Sequence, residues 1–481
     1  MRSKIEALAI AAFALVNVAQ INGQDIDTAA AVSLYPFDPA IEQHFERGIE
    51  AWGSEDYATA FTEFQAVLSA PKNRRTTAAT LMAGRALLTT ERYGEAVGLL
   101  ASFIDRYPES RYAEPAKRTL DLARDRYDLE RSRESGIFEL GVLLPMSSSA
   151  LSFTRSMFTG IRIAVDEFNR RGGREVRIVF EDTRASARHA RAAARRLLRR
   201  SNPAAIIGPL FSEEAVAVAE VADSAGVLLL VPLATDGKVA SGRTSVFQAN
   251  PTYEMRGRVM ARHAINRLRY NRLGVMAETS TFAARMADGF AAEAESLRAE
   301  VQINKRLRGL RDWYSISESF VGETGQQLAG VQALYVPITG ENAAGLAAIA
   351  LDEIALSDAR LPLLGNGEWS HYPDVDRMAL HELVYAVDFR VDSTRSEVER
   401  FDREYRNRMS RSPDQPAFVG YDVTKYMLEQ VRNLGRNESL VESFHVGGEY
   451  EGLGIRLNFG GTQVNQSLFF AQFTNEGVHE D

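Results

Sequence analysis

The sequence predicts an α/β protein with two doubly wound, Rossmann-like lobes, preceded by an all-α helical module. Three observations predict this organisation: a repeat near the N-terminus, an alternation of short apolar runs with amphipathic segments from residue 137 onward, and too many strands for one sheet. The chain has 481 residues, 45% of them hydrophobic and 25% charged. Because a single core seldom grows beyond roughly 300 residues, the chain should divide into two or more folded units.

The chain opens with the pattern of a secretory signal. Arg2 and Lys4 precede an apolar run from Ala7 to Ala19, and small and polar residues follow. A run of about 13 residues is shorter than the roughly 20 that cross a bilayer as a helix. We therefore predict a signal peptide over residues 1–24 and a soluble periplasmic or secreted protein. The alternative is a retained membrane anchor or a buried helix.

The composition excludes several kinds of site. The chain has no cysteine, which rules out disulfides, thiolate metal sites, a cysteine nucleophile and the lipid-modified cysteine of bacterial lipoproteins. Its seven histidines form no HxxxH or HxH pair, so we predict neither a metal nor another cofactor. The sequence also has no GxSxG, P-loop or dinucleotide-binding motif, and we predict no enzyme active site. A net charge of −8 argues against nucleic acid as a partner.

A repeat with a spacing of 36 residues lies within residues 37–130. The matched positions are Gly48 and Gly84, Tyr57 and Tyr93, Ala60 and Ala96, and Phe64 and Leu100, with Pro71 and Pro108 closing the two units. Small residues at helix contacts and aromatic residues in the seam are typical of stacked helix-turn-helix repeats. The segment resembles tetratricopeptide repeats. Two repeats are fewer than the three or so needed for stability, so the segment should dock on a partner or on a further helix over residues 112–133. The alternative is a helical spacer without a partner.

Short apolar runs alternate with amphipathic segments from residue 137. The predicted strands are 137–144, 175–181, 204–207, 227–231, 272–277, 333–336 and 361–364, and the predicted helices are 156–170, 187–200, 213–225, 282–299 and 343–354. A series of this kind indicates parallel sheets with helices on both faces. One sheet of that size would be unusual, so we predict two lobes within residues 137–475.

Three loops that follow predicted strands are rich in hydroxyl groups: 145–149, 208–212 and 232–236. In open α/β sheets, ligands bind outside the carboxyl ends of the strands, where helix N-termini present free N–H groups. These loops are therefore the candidate binding site.

Five motifs in order resemble the branched-chain amino-acid binding proteins, which have the type I periplasmic-binding fold. The motifs are Met146–Asn169 with Gly160-Ile161-Arg162-Ile163-Ala164 and Phe168-Asn169, Asp182, Ile206–Ser212, Val231–Thr235, and Gly420-Tyr421-Asp422 at the opening of a late helix. The resemblance covers about residues 137–473. It implies a non-catalytic receptor whose two lobes close over a small polar solute, such as an amino acid.

The resemblance also implies ligand contacts in the first lobe. The family residues that match Ser212 and Thr235, the latter beside Ala234, hold the carboxylate and ammonium of an amino acid, and an aromatic residue at the position of Phe153 covers the ligand side chain. Ser147 and Ser148 are further candidates. Local roles are the alternatives: Ser212 could cap its helix, Thr235 could close a turn and Phe153 could simply pack its loop.

The second lobe matches the family less well. Phe282-Ala283 stands where the family has Tyr-Gly, and a hydroxyl is lost. Glu368, in Gly365-Asn366-Gly367-Glu368, could meet a ligand ammonium, and the alternative is a solvated loop residue.

A stripe of arginines recurs at helical spacing: Arg184, Arg188, Arg191, Arg195 and Arg199. A polyanion could bind such a stripe. The commoner role is a solvated outer face, with Ala187, Ala190, Ala194 and Leu198 facing the sheet.

Two functions fit these patterns. One is a receptor that delivers its solute to a membrane permease of the ABC type, or to a sensor. The other is an interaction protein, because helical repeats before a binding-protein-like domain resemble the outer-membrane activators of penicillin-binding proteins, whose partner is a peptidoglycan synthase. The lipobox cysteine of those activators is absent here.

Overall fold

Five helices form an all-helical unit in the first part of the described chain. The computed structural model describes residues 37–134, 137–147, 149–172, 175–320, 330–356, 361–434, 439–474 and 477–480. The predicted signal peptide and Ser148 lie outside these ranges. The helices are α1 (Pro39–Gly53), α2 (Tyr57–Ser69), α3 (Thr76–Thr89), α4 (Tyr93–Arg106) and α5 (Ala113–Glu134).

The 36-residue repeat reflects one helix contact that occurs twice. A Cβ atom added at Gly48 would lie 2.6 Å from the Phe64 ring, and one at Gly84 would lie 2.5 Å from Leu100. Each glycine thus allows the first helix of a pair to approach the second. The segment on which the repeats were predicted to dock forms helix α5. Its residues Ala116 and Leu120 are buried in one cluster with Leu100 of α4.

A five-stranded parallel sheet forms the first lobe of the α/β unit. Its strands are β1 (Phe138–Leu144), β2 (Val176–Asp182), β3 (Ala205–Ile207), β4 (Leu228–Val231) and β5 (Val246–Gln248), in the order β2-β1-β3-β4-β5. The helices between them are α6 (Leu151–Arg170), α7 (Ala187–Arg200) and α8 (Ser212–Ala225).

A seven-stranded sheet forms the second lobe. Its elements up to residue 387 are α9 (Tyr253–Arg262), β6 (Arg272–Glu278), α10 (Phe282–Ser296), β7 (Glu300–Leu307), α11 (Leu310–Trp313), β8 (Ala333–Tyr335), α12 (Ala343–Leu356), β9 (Leu363–Asn366), α13 (Val375–Leu380) and β10 (Val384–Val387). The chain continues through α14 (Ser396–Met409), α15 (Gln415–Asn433), α16 (Leu440–Val446), β11 (Tyr450–Glu451) and β12 (Arg456–Leu457), and ends in β13 (Phe469–Thr474) and β14 (Gly477–Glu480). The sheet order is β14-β13-β10-β9-β8-β6-β7, with β13 and β14 antiparallel to their neighbours.

Three crossovers connect the lobes, at residues 249–252, 388–395 and 458–468. The Arg256 guanidinium, at the start of the second lobe, donates to Asn250 Oδ1 at 2.8 Å and to Asp388 Oδ2 at 2.6 Å. It therefore ties the first crossover to the second. The Asn465 side chain donates to the Ala249 carbonyl oxygen at 2.9 Å and so ties the third crossover to the first.

The structure confirms the predicted fold class and corrects several details. Helix α6 begins at Leu151, before the predicted residue 156, and Gly420-Tyr421-Asp422 lies inside α15, which begins at Gln415. Asp422 is buried and accepts three backbone N–H groups, from Leu453, Gly454 and Ile455. Its role is thus to hold a loop of the first lobe.

Helix α7 lies on the sheet as an amphipathic helix, with its arginine stripe outward. The side chains of Arg188, Arg195 and Arg199 are exposed. The buried positions are Ala190, Ala193, Ala194 and Leu197, whereas the predicted Ala187 and Leu198 are only half-buried. The apolar face is therefore rotated slightly from the predicted one.

Each lobe contains a pair of helices that cross at two glycines. In the first lobe, a methyl group on Gly160 of α6 would overlap the Ala417 carbonyl oxygen of α15, and one on Gly420 would overlap the Met157 carbonyl oxygen. In the second lobe, Gly257 of α9 packs against the backbone of α10 in the same way, and Gly289 of α10 packs against that of α9. Helices this close leave no room for a Cβ atom, which gives the Gly160 and Gly420 motifs a structural role.

We predict that Gly160→Ala destabilises the α/β unit. In an exposed helix interior, alanine is more stabilising than glycine by about 0.5–1 kcal/mol. At the helix crossing, however, the added methyl group overpacks the contact, which typically costs about 1–3 kcal/mol. The control is Gly345→Ala in α12, where the nearest atoms belong to the exposed side chain of Asn342. Urea unfolding should show a lower unfolding free energy for Gly160→Ala only. Equal stability of the two variants would contradict the close helix crossing.

Candidate functional site

The loop after β1 is held in place by Asp182 at the end of β2. Asp182 Oδ1 accepts the backbone N–H groups of Met146 at 3.0 Å and Arg184 at 2.9 Å, and the Ser147 hydroxyl donates to Asp182 Oδ2. Burial opposes ionisation, but these hydrogen bonds outweigh it and hold the pKa of Asp182 below its usual range. Asp182 thus positions the candidate Ser147.

The loops after β3 and β4 are neighbours because their strands pair. Gly208 N donates to the Leu230 carbonyl oxygen at 3.1 Å. Gly208 has φ of +108°, and a side chain here would overlap the Leu143 carbonyl oxygen. The chain can therefore turn off the sheet at this point only with glycine.

The loop that carries Ala234 and Thr235 is supported from β5 and the first crossover. Gln248 Nε2 donates to the carbonyl oxygens of Ala234, at 3.0 Å, and Asp236, at 3.2 Å. Asn250 Nδ2 donates to that of Leu233 at 3.0 Å. Ala234 is itself buried. The sequence reasoning did not find Gln248 and Asn250, because amides near a strand end carry no distinctive motif.

The hydroxyl groups of Ser212 and Thr235 are not hydrogen-bonded to other described residues. Ser212 is the first residue of α8, and the capping position belongs to Phe211. Both side chains are half-buried, and in the part of the chain that the structure describes neither hydroxyl forms a hydrogen bond. The alternative role of Ser212 as a helix cap is therefore wrong, and both hydroxyls remain available to a ligand.

The remaining candidates lie at the same edge of their sheets. Phe153, in the first turn of α6, is 39% exposed. Glu368 lies in a 3-10 turn directly after β9, where its carboxylate is 3.4 Å from His371 Nδ1. Side chains on both partners are well exposed, so this pair adds little to stability.

The sequence analysis did not identify a buried acid that lies near these loops. Glu214, in the first turn of α8, is 1% exposed, and neither of its carboxyl oxygens forms a hydrogen bond to the described residues. Burial raises the pKa of Glu214. Polar contacts with the Thr183 side chain and with the Phe211 and Ser186 backbone lower the pKa by less than this, and the negative charge of Asp182 adds to the rise. A buried glutamate in a first turn has the same sequence pattern as an exposed one.

The described residues form neither a metal-ion cluster nor a membrane-spanning helix. No three histidine, aspartate or glutamate side chains lie close enough to one another to hold a metal ion. No helix is both long and apolar enough to cross a membrane.

Known proteins resemble the α/β unit. The family model "Periplasmic binding protein" matches residues 138–477. An amino acid binding protein of Pseudomonas aeruginosa is 25% identical over 182 residues, which are 37% of this chain and 49% of that protein. A Leu/Ile/Val-binding protein of Rhizobium johnstonii is 23% identical over 157 residues, 32% of this chain and 42% of that protein. The chain thus matches less than half the length of these two relatives.

A solved structure shows the same fold over a larger part of the chain. The crystal structure of a branched-chain amino acid ABC transporter protein from Rhodospirillum rubrum superposes with a TM-score of 0.57 and 22% identity. The match covers 72% of this chain and all of that protein.

We predict that Glu214→Gln flattens the pH dependence of stability. A carboxyl group with a raised folded-state pKa binds its proton more tightly when folded, so the unfolding free energy falls as pH rises from about 4.5 through the folded-state pKa. Glutamine carries no charge and removes this fall. Urea unfolding at pH 4 to 8 measures it, with Glu213→Gln, exposed in the same turn, as control. An unchanged profile in Glu214→Gln would refute the buried-acid interpretation.

Proposed function

Because the chain belongs to the periplasmic binding protein family, we propose that it is an exported receptor that captures a small polar solute, such as an amino acid, between two lobes. It delivers the solute to a membrane permease of the ABC type or to a sensor. Residues 1–24 act as the signal peptide, and the mature protein is periplasmic or secreted.

The pair of available hydroxyls on neighbouring loops carries this proposal. Ser212 lies at the N-terminus of a 14-residue helix, where free N–H groups and the helix dipole favour an anion. Thr235 follows the adjacent strand, on a loop fixed by Gln248 and Asn250. The arrangement suits a carboxylate, since charge-assisted hydrogen bonds to hydroxyl and N–H groups need no buried cation.

The relatives support an amino acid or a similar carboxylate as the solute. Their names describe amino-acid and Leu/Ile/Val binding. Ser147 and Phe153 lie on the loop and helix that follow β1, next to β3 in the sheet. Together with Ser212, Ala234 and Thr235 they form the proposed first-lobe surface, and Glu368 belongs to the second-lobe surface.

The helical unit favours a second candidate function. The solved relative covers 72% of this chain, whereas five helices precede the α/β unit. Such an added unit suits a protein partner, so the candidate is an activator that contacts a peptidoglycan synthase. Co-purification of the full chain from cell envelopes separates the functions: a recovered permease supports the transport receptor, and a recovered peptidoglycan synthase supports the activator.

We predict that Ser212→Ala and Thr235→Val each weaken solute binding about tenfold or more, because a hydrogen bond to a charged group contributes about 1.5–3 kcal/mol. Thermal-shift screening of the purified chain with amino acids, short peptides and sugars identifies the solute, and calorimetry then measures its affinity. Ser224→Ala is the control, since that hydroxyl lies in the last turn of the same helix and donates to the Glu220 carbonyl oxygen.

A folded chain that none of these solutes stabilises would contradict the receptor function. Wild-type affinity in both Ser212→Ala and Thr235→Val would instead contradict the proposed site.

A further inference from the structure

Three exposed phenylalanines stand at helix starts in the described α/β unit. Phe153 is 39% exposed, Phe211 43% and Phe282 51%, and the other phenylalanines of this unit whose side chains the structure describes are not exposed. Phe153 lies in the first turn of α6, Phe211 caps α8 and Phe282 begins α10. Each of these helices follows a parallel strand, so all three rings stand at the carboxyl ends of the strands. This is the edge that carries Ser212 and Thr235 in the first lobe.

The Phe282 ring rests on a rigid support. It stacks on the Tyr253 ring with centroids 4.3 Å apart and planes 10° apart. The Arg256 guanidinium lies 5.3 Å from the centroid of the Tyr253 ring and is itself held by Asp388. Because Phe282 remains half exposed on top of this stack, it offers a fixed flat surface to a further ring.

An aromatic surface and an anion-binding group meet in the first lobe. Phe211 directly precedes Ser212, whose hydroxyl and helix N-terminus suit a carboxylate. A solute that satisfies both would carry a carboxylate with a ring a short distance away. Apolar ring surface that is left in contact with water has an unfavourable free energy of hydration. A solute that covers the rings recovers this free energy.

We propose that the cleft selects a small carboxylate that bears an aromatic ring, and that Phe282 on its Tyr253 support, together with Phe211, holds the ring. This inference rests on the proposed receptor function. An aliphatic side chain would also cover the phenylalanines, but only a flat ring continues the Tyr253–Phe282 stack. Stacked aromatic pairs stabilise beyond their buried area by an amount equivalent to roughly 2- to 10-fold in affinity.

Calorimetric titration of the full chain tests this with four probes: phenylalanine, benzoate, leucine and valine. We expect phenylalanine or benzoate to bind at least several-fold more tightly than leucine or valine. Comparing phenylalanine with benzoate shows whether the preferred solute carries an ammonium group. Tighter binding of either probe than of leucine and valine supports the proposal. Phe282→Leu keeps apolar bulk without the ring, so it should lower the ratio of aromatic-probe affinity to leucine affinity several-fold.

The control is Phe37→Leu, at a phenylalanine that is 61% exposed and lies outside the α/β unit, which should leave the preference intact. Leucine or valine binding as tightly as both aromatic probes, or an unchanged preference in Phe282→Leu, overturns the aromatic inference and leaves the receptor function standing. Failure of every solute in the wider thermal-shift screen overturns the receptor function itself, and the aromatic inference falls with it.

Discussion

The arrangement of the two lobes depends on one buried amide at their crossovers. Asn465, 2% exposed, donates from Nδ2 to the carbonyl oxygens of Ala249 at 2.9 Å and Arg456 at 2.7 Å, and accepts on Oδ1 the N–H groups of Asn458 at 2.9 Å and Ser467 at 3.1 Å. Two donated and two accepted bonds use the full capacity of an asparagine amide. An apolar side chain at this position would leave four backbone groups without these partners in a buried place, where each is costly.

The same crossovers support the candidate site. Asn250 in the first crossover bonds the Thr235 loop through the Leu233 carbonyl oxygen and also accepts from Arg256. Arg256 in turn contacts Tyr253, which carries Phe282. A short chain of contacts therefore runs from the loop that carries Thr235 to the second-lobe aromatic stack. A hinge movement that brings the lobes together would move two surfaces that are each rigidly held.

Much of the fold could be predicted, because the apolar residues of most helices and strands follow a clear periodicity. Helix α7 was predicted with its observed bounds, since six arginines and an alanine-rich face define its limits. The strands from β10 to the end of the chain, and β5 and β7 before them, were not predicted. Strands β5 and β10 have only three and four residues, and β7 (EVQINKRL) is mostly polar, so none of the three stands out from a loop. The return of α15 to the first lobe depends on the close approach at Gly160 and Gly420, a contact between distant segments that no local pattern shows.

The geometry of the candidate site could be predicted from the sequence only in part. The loops were found because hydroxyls follow apolar strands, but whether a hydroxyl is free or bonded depends on its neighbours in space. Ser147 turned out to donate to Asp182, whereas Ser212 has no such bond among the described residues. Phe211 and Glu214 lie within two residues of Ser212, yet one is exposed and the other buried, because Phe211 is the extended residue before α8 and Glu214 lies inside its first turn.

Closure of the two lobes over a solute is the central claim, and a distance measurement between them tests it most directly. The chain has no cysteine, so Ala192→Cys in α7 and Ala292→Cys in α10, both exposed, would place one spin label on each lobe without background. Pulsed electron paramagnetic resonance should show the distance distribution shifting and narrowing when the stabilising solute is added at saturation, and Ser212→Ala should require more solute for the same shift. A distribution unchanged at saturating solute would contradict closure about the crossovers.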